Sequence, residues 1–136
     1  MPLDPSLVGR SFGPTSPYDV TEDSVRAFAA ATGTPYRTGD PAPVTFPIVV
    51  AFPAMTALMD DPDAGIQLHN VVHGEQRFGY TRPVRVGDRI AATLTVENIR
   101  SIAGADIIST SSVVTDADGA VVCTAKATLV HRGESS

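Results

Sequence analysis

Thr45-Phe46-Pro47-Ile48-Val49-Val50-Ala51-Phe52-Pro53-Ala54-Met55-Thr56-Ala57-Leu58-Met59 holds no charged residue and is apolar on every side. A segment of this kind is covered all round, as a core helix or as a central strand. Its length favours a helix. Thr45 suits the N-cap, and Pro47 suits the first turn, where its missing N–H is not needed. The β-branched run Ile48-Val49-Val50 argues for a strand. The reading that fits the whole stretch is a buried helix, bent at Pro53. The segment is too short, and too interrupted by proline, to span a bilayer.

Before it, residues 1–17 carry four prolines and two glycines and read as an extended arm, neither helix nor inner strand. Tyr18-Asp19-Val20 is a short extended piece. Thr21 is an N-cap, with Glu22 and Asp23 in the first turn, where the helix dipole favours negative charge. Val25, Phe28 and Ala29 give one apolar face, and Gly33 ends the helix. Thr34 to Pro43 is a loop rich in proline and glycine.

After the central stretch, Asp60 to Gly65 forms a surface loop. From Val71 the period becomes two. Val72, Gln76, Phe78 and Tyr80 share one face; His73, Glu75, Arg77 and Gly79 share the other. Pro83 ends or bends this strand, and Gly87-Asp88 is a turn. Further strands follow from Ile90, from Ile107 to Thr115 and from Val121 to His131, with Gly104 and Asp118-Gly119 at the turns. Arg132 to Ser136 reads as a flexible tail. The expected fold is α+β: two early helices, then a meander of long antiparallel strands with the apolar helix packed on one face. One domain over residues 1–136 accommodates it.

Composition narrows the function classes. Hydrophobic residues make 43% and charged residues 18% of the chain, as in ordinary globular proteins. The net charge of −5 and the lack of a basic stripe argue against nucleic acid as a partner. Cys123 is the one cysteine and cannot form an internal disulfide; it reads as a small buried residue. No basic region followed by an apolar run opens the chain, so the cytoplasm is the default location and no membrane partner is expected. Metal-ligand spacing, a phosphate-cradling glycine loop and a nucleophile elbow are all missing, so neither a metal nor a cofactor is expected.

The residues also carry a resemblance. Val72-His73-Gly74-Glu75-Gln76-Arg77-Phe78, then Tyr80-Thr81-Arg82-Pro83-Val84 and Val86-Gly87-Asp88-Arg89, resemble the MaoC-like dehydratases. Ala42-Pro43-Val44-Thr45-Phe46 and Leu7-Val8-Gly9-Arg10 with Tyr18-Asp19-Val20 resemble the same family. The similarity is greatest to the branch that includes non-catalytic subunits of (3R)-hydroxyacyl-ACP dehydratases. It implies a hotdog fold, a long antiparallel sheet wrapped around a buried central helix. It also implies an acyl-CoA or acyl-ACP thioester as substrate, and a dimer: a homodimer, or a heterodimer with a catalytic MaoC-like subunit. Catalytic members carry Asp and His about five residues apart in a G-D-x-N-P-x-H motif after the first helix. Here Thr34 stands at the Asp position in Thr32-Gly33-Thr34-Pro35-Tyr36-Arg37-Thr38-Gly39-Asp40, and no histidine follows. The family's long segment ahead of the central helix is cut short.

Hydration of an enoyl-thioester needs a group that moves a proton and a donor for the thioester oxygen. His73 and Asp40 are the catalytic candidates. Against them stand bland readings: His73, Glu75 and Arg77 as a polar strand face, and Asp40 as a turn residue bonding its own backbone. His131 reads as solvated at the chain end, and His69 as a loop residue. Tyr36, Arg37, Phe46, Phe52 and Met55 are candidates for substrate binding, although Met55 and Met59 at helical spacing suit a core equally well. Three functions follow: a dehydratase subunit without the catalytic pair that shapes an acyl tunnel; an active homodimeric dehydratase or thioesterase on an unusual acyl or polyketide-like substrate; and a non-enzymatic protein that binds a hydrophobic ligand.

Overall fold

A computed structural model of the chain describes residues 5–66 and 70–132. In chain order its elements are a 3-10 turn at Pro5–Leu7, β1 (Ser11–Phe12), β2 (Tyr18–Asp19), α1 (Glu22–Thr32) and α2 (Ile48–Asp60). A second 3-10 turn at Pro62–Ala64, then β3 (Val71–Tyr80), β4 (Arg89–Ile102), β5 (Ala105–Thr115) and β6 (Val121–Arg132) complete it. The strands form one antiparallel sheet in the order β1-β4-β5-β6-β3, and β2 pairs with a separate stretch of β4.

α1 forms where its caps place it. The Thr21 side chain accepts from the Ser24 amide, the Ser24 hydroxyl bonds back to the Thr21 backbone, and Gly33 closes the helix at φ 69°. α2 starts later than the sequence suggests. The Phe46 amide bonds the Pro43 carbonyl and the Ile48 amide bonds the Thr45 carbonyl, so a tight turn precedes the helix. Pro47 takes the cap position without a side-chain bond, and Thr45 is exposed.

α2 packs mainly on β4, with smaller contacts to β1 and β5. Its inner side buries Val50, Ala51, Ala54, Met55, Leu58 and Met59. Each large side chain among these contributes roughly 2 kcal/mol by leaving water. The opposite side corrects the expectation of burial all round: Phe52 is 50% exposed, and Pro53 and Ala57 are also exposed. The sheet covers only one side of α2, and the arm reaches only part of the other. At the arm's root Phe46 is fully buried, edge-on to Phe28 and Tyr18 at centroid distances of 5.3 and 6.1 Å.

The sheet is not the meander that the sequence suggests. β3 lies beside β6, so the connection 81–88 carries the chain past the end of the β5–β6 hairpin to reach β4. Polar anchors hold it there. The Thr81 and Arg82 amides both donate to the Val122 carbonyl, and Val84 is buried. The arm supplies one short edge pairing through β1, and the extended piece after it another through β2. Arg132, expected in the tail, ends β6 opposite Ala105. Cys123 is buried as expected, and burial pushes its thiol up to about 11.

Candidate functional site

β3 is the outer strand of the sheet, and α2 sits over β4 and leaves its helix-facing side largely open. Register decides which side chains stand on that side. Gln76, Phe78 and Tyr80 face Ala127, Ala125 and Cys123 of β6, which lie on the core side. Between His73 and Glu75 the register shifts, because Gly74 adds a residue to β3. The shift moves His73 onto the core side, opposite Leu129, and sends Val72 outward, where it is 65% exposed. A strict alternation separates His73 from Gln76; the bulge brings them together. With its proton on Nε2, His73 donates to Gln76 Oε1 across 3.0 Å. Glu75 and Arg77 stay on the outer side, bridged at 2.7 Å, so His73 does not share a face with them.

His73, Gln76, Phe78 and Tyr80 thus line one ledge. The Tyr80 hydroxyl donates to the Val44 carbonyl in the turn before α2 and closes one end. Burial raises the Tyr80 phenol, with Cys123 adding to it, so Tyr80 remains a donor across the usual pH range. A histidine proton carrier, an amide and a phenol on an apolar ledge can orient a polar acyl head group.

The loop after α1 is tied elsewhere. Thr34 bonds Thr32 through its hydroxyl and the Ala29 carbonyl through its amide, so it serves the helix exit. The Tyr36 hydroxyl and the Thr38 hydroxyl both donate to Glu22, at 2.7 and 2.8 Å, and Arg26 stacks over the Tyr36 ring. Those bonds, with Arg26 beside them, hold the Glu22 carboxyl below the usual carboxylate range; the same bond pushes the Tyr36 phenol up. Asp40 accepts from the Arg37 amide at 2.9 Å, a turn bond within its own loop. Arg37 is exposed.

The second half of the motif makes a lock. Arg82 holds Asp88 through both nitrogens, at 2.8 and 3.3 Å, and reaches Asp116 at 3.2 Å. Asp88 also accepts from the Arg85 amide, and Asp116 from the amides of Asp118 and Ala120. Burial works against the Asp88 carboxylate, but the bonds from Arg82 and Arg85 outweigh it and keep its pKa low. The Ala120 amide and Arg82 do the same for Asp116. Arg82 therefore fastens the 81–88 connection to the β5–β6 turn. No spacing rule signals Asp116 as its partner.

Other candidates fall into the core or onto outer faces. His131 is 3% exposed, which corrects the expectation of a solvated chain end. It faces Asp106 across β5 and β6, with Nδ1 3.7 Å from Oδ2, and Ser101 donates to the same carboxylate. This Asp–His pair belongs to the packed interior, not to the ledge. Phe46 and Met55 are buried in the same core, and Phe52 projects from the outer side of α2. His69 lies outside the described residues. A groove of about 410 Å³ runs between Pro14 and Pro17 of the arm with Tyr18 of β2 on one side and Val49, Pro53 and Ala57 of α2 on the other. It contains no carboxylate or imidazole for acid–base work. No metal-binding cluster of His, Cys, Asp or Glu occurs among the described residues.

The geometry agrees with comparisons to known proteins. A family model for the FAS1-like dehydratase domain region matches residues 6–125. One chain of the solved HadBC complex, a (3R)-hydroxyacyl-ACP dehydratase from Mycobacterium tuberculosis, superposes with a TM-score of 0.79 and 26% identity, over 91% of this chain and 96% of that one. The chain belongs to the MaoC-like dehydratase family, with the hotdog fold. Within this family it is 43% identical to a UPF0336 protein of Streptomyces avermitilis, over 97% of both chains. It is 41% identical to a UPF0336 protein of Clavibacter michiganensis subsp. michiganensis, over the whole of both. That alignment runs over 149 positions against the 136 residues here, so the relative carries positions that this chain lacks. One chain of the ChsH1–ChsH2 complex of Mycobacterium tuberculosis shares the fold at a TM-score of 0.63 and 14% identity, over 91% of this chain and 86% of that one. No described helix of this family member is long and apolar enough to cross a membrane.

Proposed function

We propose that this chain is a subunit of a (3R)-hydroxyacyl-thioester dehydratase that contributes one wall of the acyl site, while a partner chain supplies the Asp and His. The observation that carries the reading is the loop after α1. Its side chains are committed to structure: Thr34 to the helix exit, Tyr36 and Thr38 to Glu22, Asp40 to its own turn. No histidine stands in it.

Dehydration removes a proton from the carbon next to the thioester carbonyl and donates one to the departing hydroxyl. Both groups must reach the same two carbons. His73 and Asp40 share no contact that would let them act as a pair. The ledge suits a supporting role: the His73–Gln76 pair offers polar contacts to the thioester head, and Phe78 with Tyr80 offers apolar surface beside it. The HadBC and ChsH1–ChsH2 structures are complexes of two different chains, which supports a partner of the same family.

A hydration assay tests the reading. The purified chain is given crotonyl-CoA and a longer enoyl-CoA, with and without a catalytic MaoC-like subunit. The expected result is no turnover alone, and a changed rate or chain-length preference with the partner. Turnover by the chain alone would overturn it and make His73→Ala and Asp40→Ala the next variants to assay.

A further inference from the structure

The segments 39–44 and 80–85 are tied side by side. Arg85 Nη1 donates to the Gly39 carbonyl at 3.3 Å, the Ala42 amide to the Val84 carbonyl at 2.7 Å, and the Tyr80 hydroxyl to the Val44 carbonyl. The seam they form continues the ledge past Tyr80. Two arginines stand at its far end. One is Arg85; the other is Arg37, which opens the tight turn to Asp40 that contains Gly39.

These two differ from other arginines of the chain. Arg10, Arg26, Arg77 and Arg82 each pair with a carboxylate. Arg37 and Arg85 are exposed and make no ion pair among the described residues. The nearby acids are engaged elsewhere. Asp40 accepts from the Arg37 amide, and Asp88 accepts from the Arg85 amide and from the Arg82 guanidinium. In a chain of net charge −5, the charges left over at this point are positive. A guanidinium with uncommitted N–H groups is matched to phosphate, which accepts two of them at once.

Between these cations and the His73–Gln76 pair the chemistry changes in a fixed order. Val44 and Val86 lie next to the ties, 71% and 43% exposed. Then come the rings of Tyr80 and Phe78, and last the amide and imidazole of Gln76 and His73. From Gln76 to Tyr80 is about 13 Å of strand. We propose that Arg37 and Arg85 bind the phosphate at the end of a pantetheine arm that lies along the seam and the ledge. A pantetheine thioester carries its groups in the same order: phosphate, a branched dimethyl carbon, the amides, the thioester. That phosphate is shared by CoA and by the prosthetic group of a carrier protein, so the site reads the arm. The assignment rests on the ledge being a thioester wall, and adds what anchors the far end of the substrate.

The test is binding to the purified full chain, followed by NMR titration with pantetheine, 4′-phosphopantetheine and CoA, with circular dichroism to confirm folding. Wild type should bind 4′-phosphopantetheine about tenfold more tightly than pantetheine. Added salt should shrink that preference. Arg37→Gln and Arg85→Gln should each reduce it about threefold, and the double variant should abolish it, with pantetheine bound as by wild type. Gln at position 85 keeps a donor for the Gly39 carbonyl, so the seam is retained. Equal binding of the two ligands by wild type, or a folded double variant that keeps the preference, would overturn the proposal. So would a loss seen on CoA but not on 4′-phosphopantetheine, which would place the arginines on CoA's nucleotide phosphates. A holo carrier protein titrated in parallel distinguishes the two sources of the arm: the arginine variants should weaken whichever of CoA and the carrier protein the chain binds. Failure here is separable from failure of the subunit reading. A chain that prefers the phosphate but alters no partner's turnover would end only the subunit role; one that alters turnover without the preference would end only this assignment.

Discussion

The two halves of the family-like signature do opposite work. Arg82-Pro83-Val84-Arg85-Val86-Gly87-Asp88 is closed on itself: Arg82 is spent on Asp88 and Asp116, and Val84 is buried. His73-Gly74-Glu75-Gln76-Arg77-Phe78, a few residues earlier, is open: His73, Glu75 and Arg77 are exposed, and the polar contacts run within the strand. The difference follows from position in the sheet. The Arg82–Asp88 half turns the chain past a hairpin and is fixed there. The His73–Phe78 half forms an edge, and an edge leaves its side chains and backbone for something outside. Sequence similarity weights both halves equally; the ion-pair lock to the β5–β6 turn lies in the Arg82–Asp88 half alone.

Stability measurements can break that contrast. The largest loss should come from Arg82→Met, which removes charge-assisted bonds and leaves Asp88 without its counter-charge. About 2 kcal/mol is expected in urea unfolding, below the roughly 3–5 kcal/mol of a fully buried pair, because Arg82 is still 37% exposed. A loss under about 0.5 kcal/mol would remove the lock from the account.

The same variant should change the acid limb. Asp88 and Asp116 have depressed pKa values in the folded chain. Their contribution is therefore complete above the ordinary carboxylate value of about 4 and is lost as pH falls below it. Stability measured from about pH 6 to pH 2 should fall less steeply in Arg82→Met than in wild type. An unchanged slope would mean that other carboxylates, Glu22 among them, carry the acid sensitivity.

Tyr80→Phe comes next. It deletes the bond to the Val44 carbonyl but keeps the ring, so about 1 kcal/mol should be lost. The smallest effect should be that of His73→Ala, within about 0.5 kcal/mol, since the ring is exposed and its partner Gln76 can turn to water. If His73→Ala also left turnover of a reconstituted two-chain enzyme unchanged, the ledge would have no part in substrate handling.

Local signals were readable wherever the cause was local. Thr21 and Gly33 mark the ends of α1, and Asp118-Gly119 marks a hairpin, because caps and turns are set by neighbours a few residues away. The family resemblance carried the fold, and the absence of the family's Asp/His motif from the loop after α1 was visible as text. The candidate site was less readable. Alternation placed His73 with Glu75, and one extra residue at Gly74 reversed that; a glycine in a strand hints at a bulge but does not say that one occurs. Hydrophobic spacing could not show that α2 would have one uncovered side, since coverage depends on what else packs nearby.

By itself the sequence determined the α+β class, the ends of α1, the position of the last hairpin turn, and the lack of the family's acid–base pair in its usual loop. Only the tertiary structure decided that β3 crosses to the far edge, that Arg82 closes on Asp116 thirty-four residues away, that His131 is buried against Asp106, and that His73 joins Gln76, Phe78 and Tyr80 on one ledge. Period and capping act over a turn or two of chain. Strand order, bulge placement and long-range ion pairs are chosen by the packing of the whole sheet, and no window of sequence contains all the partners at once.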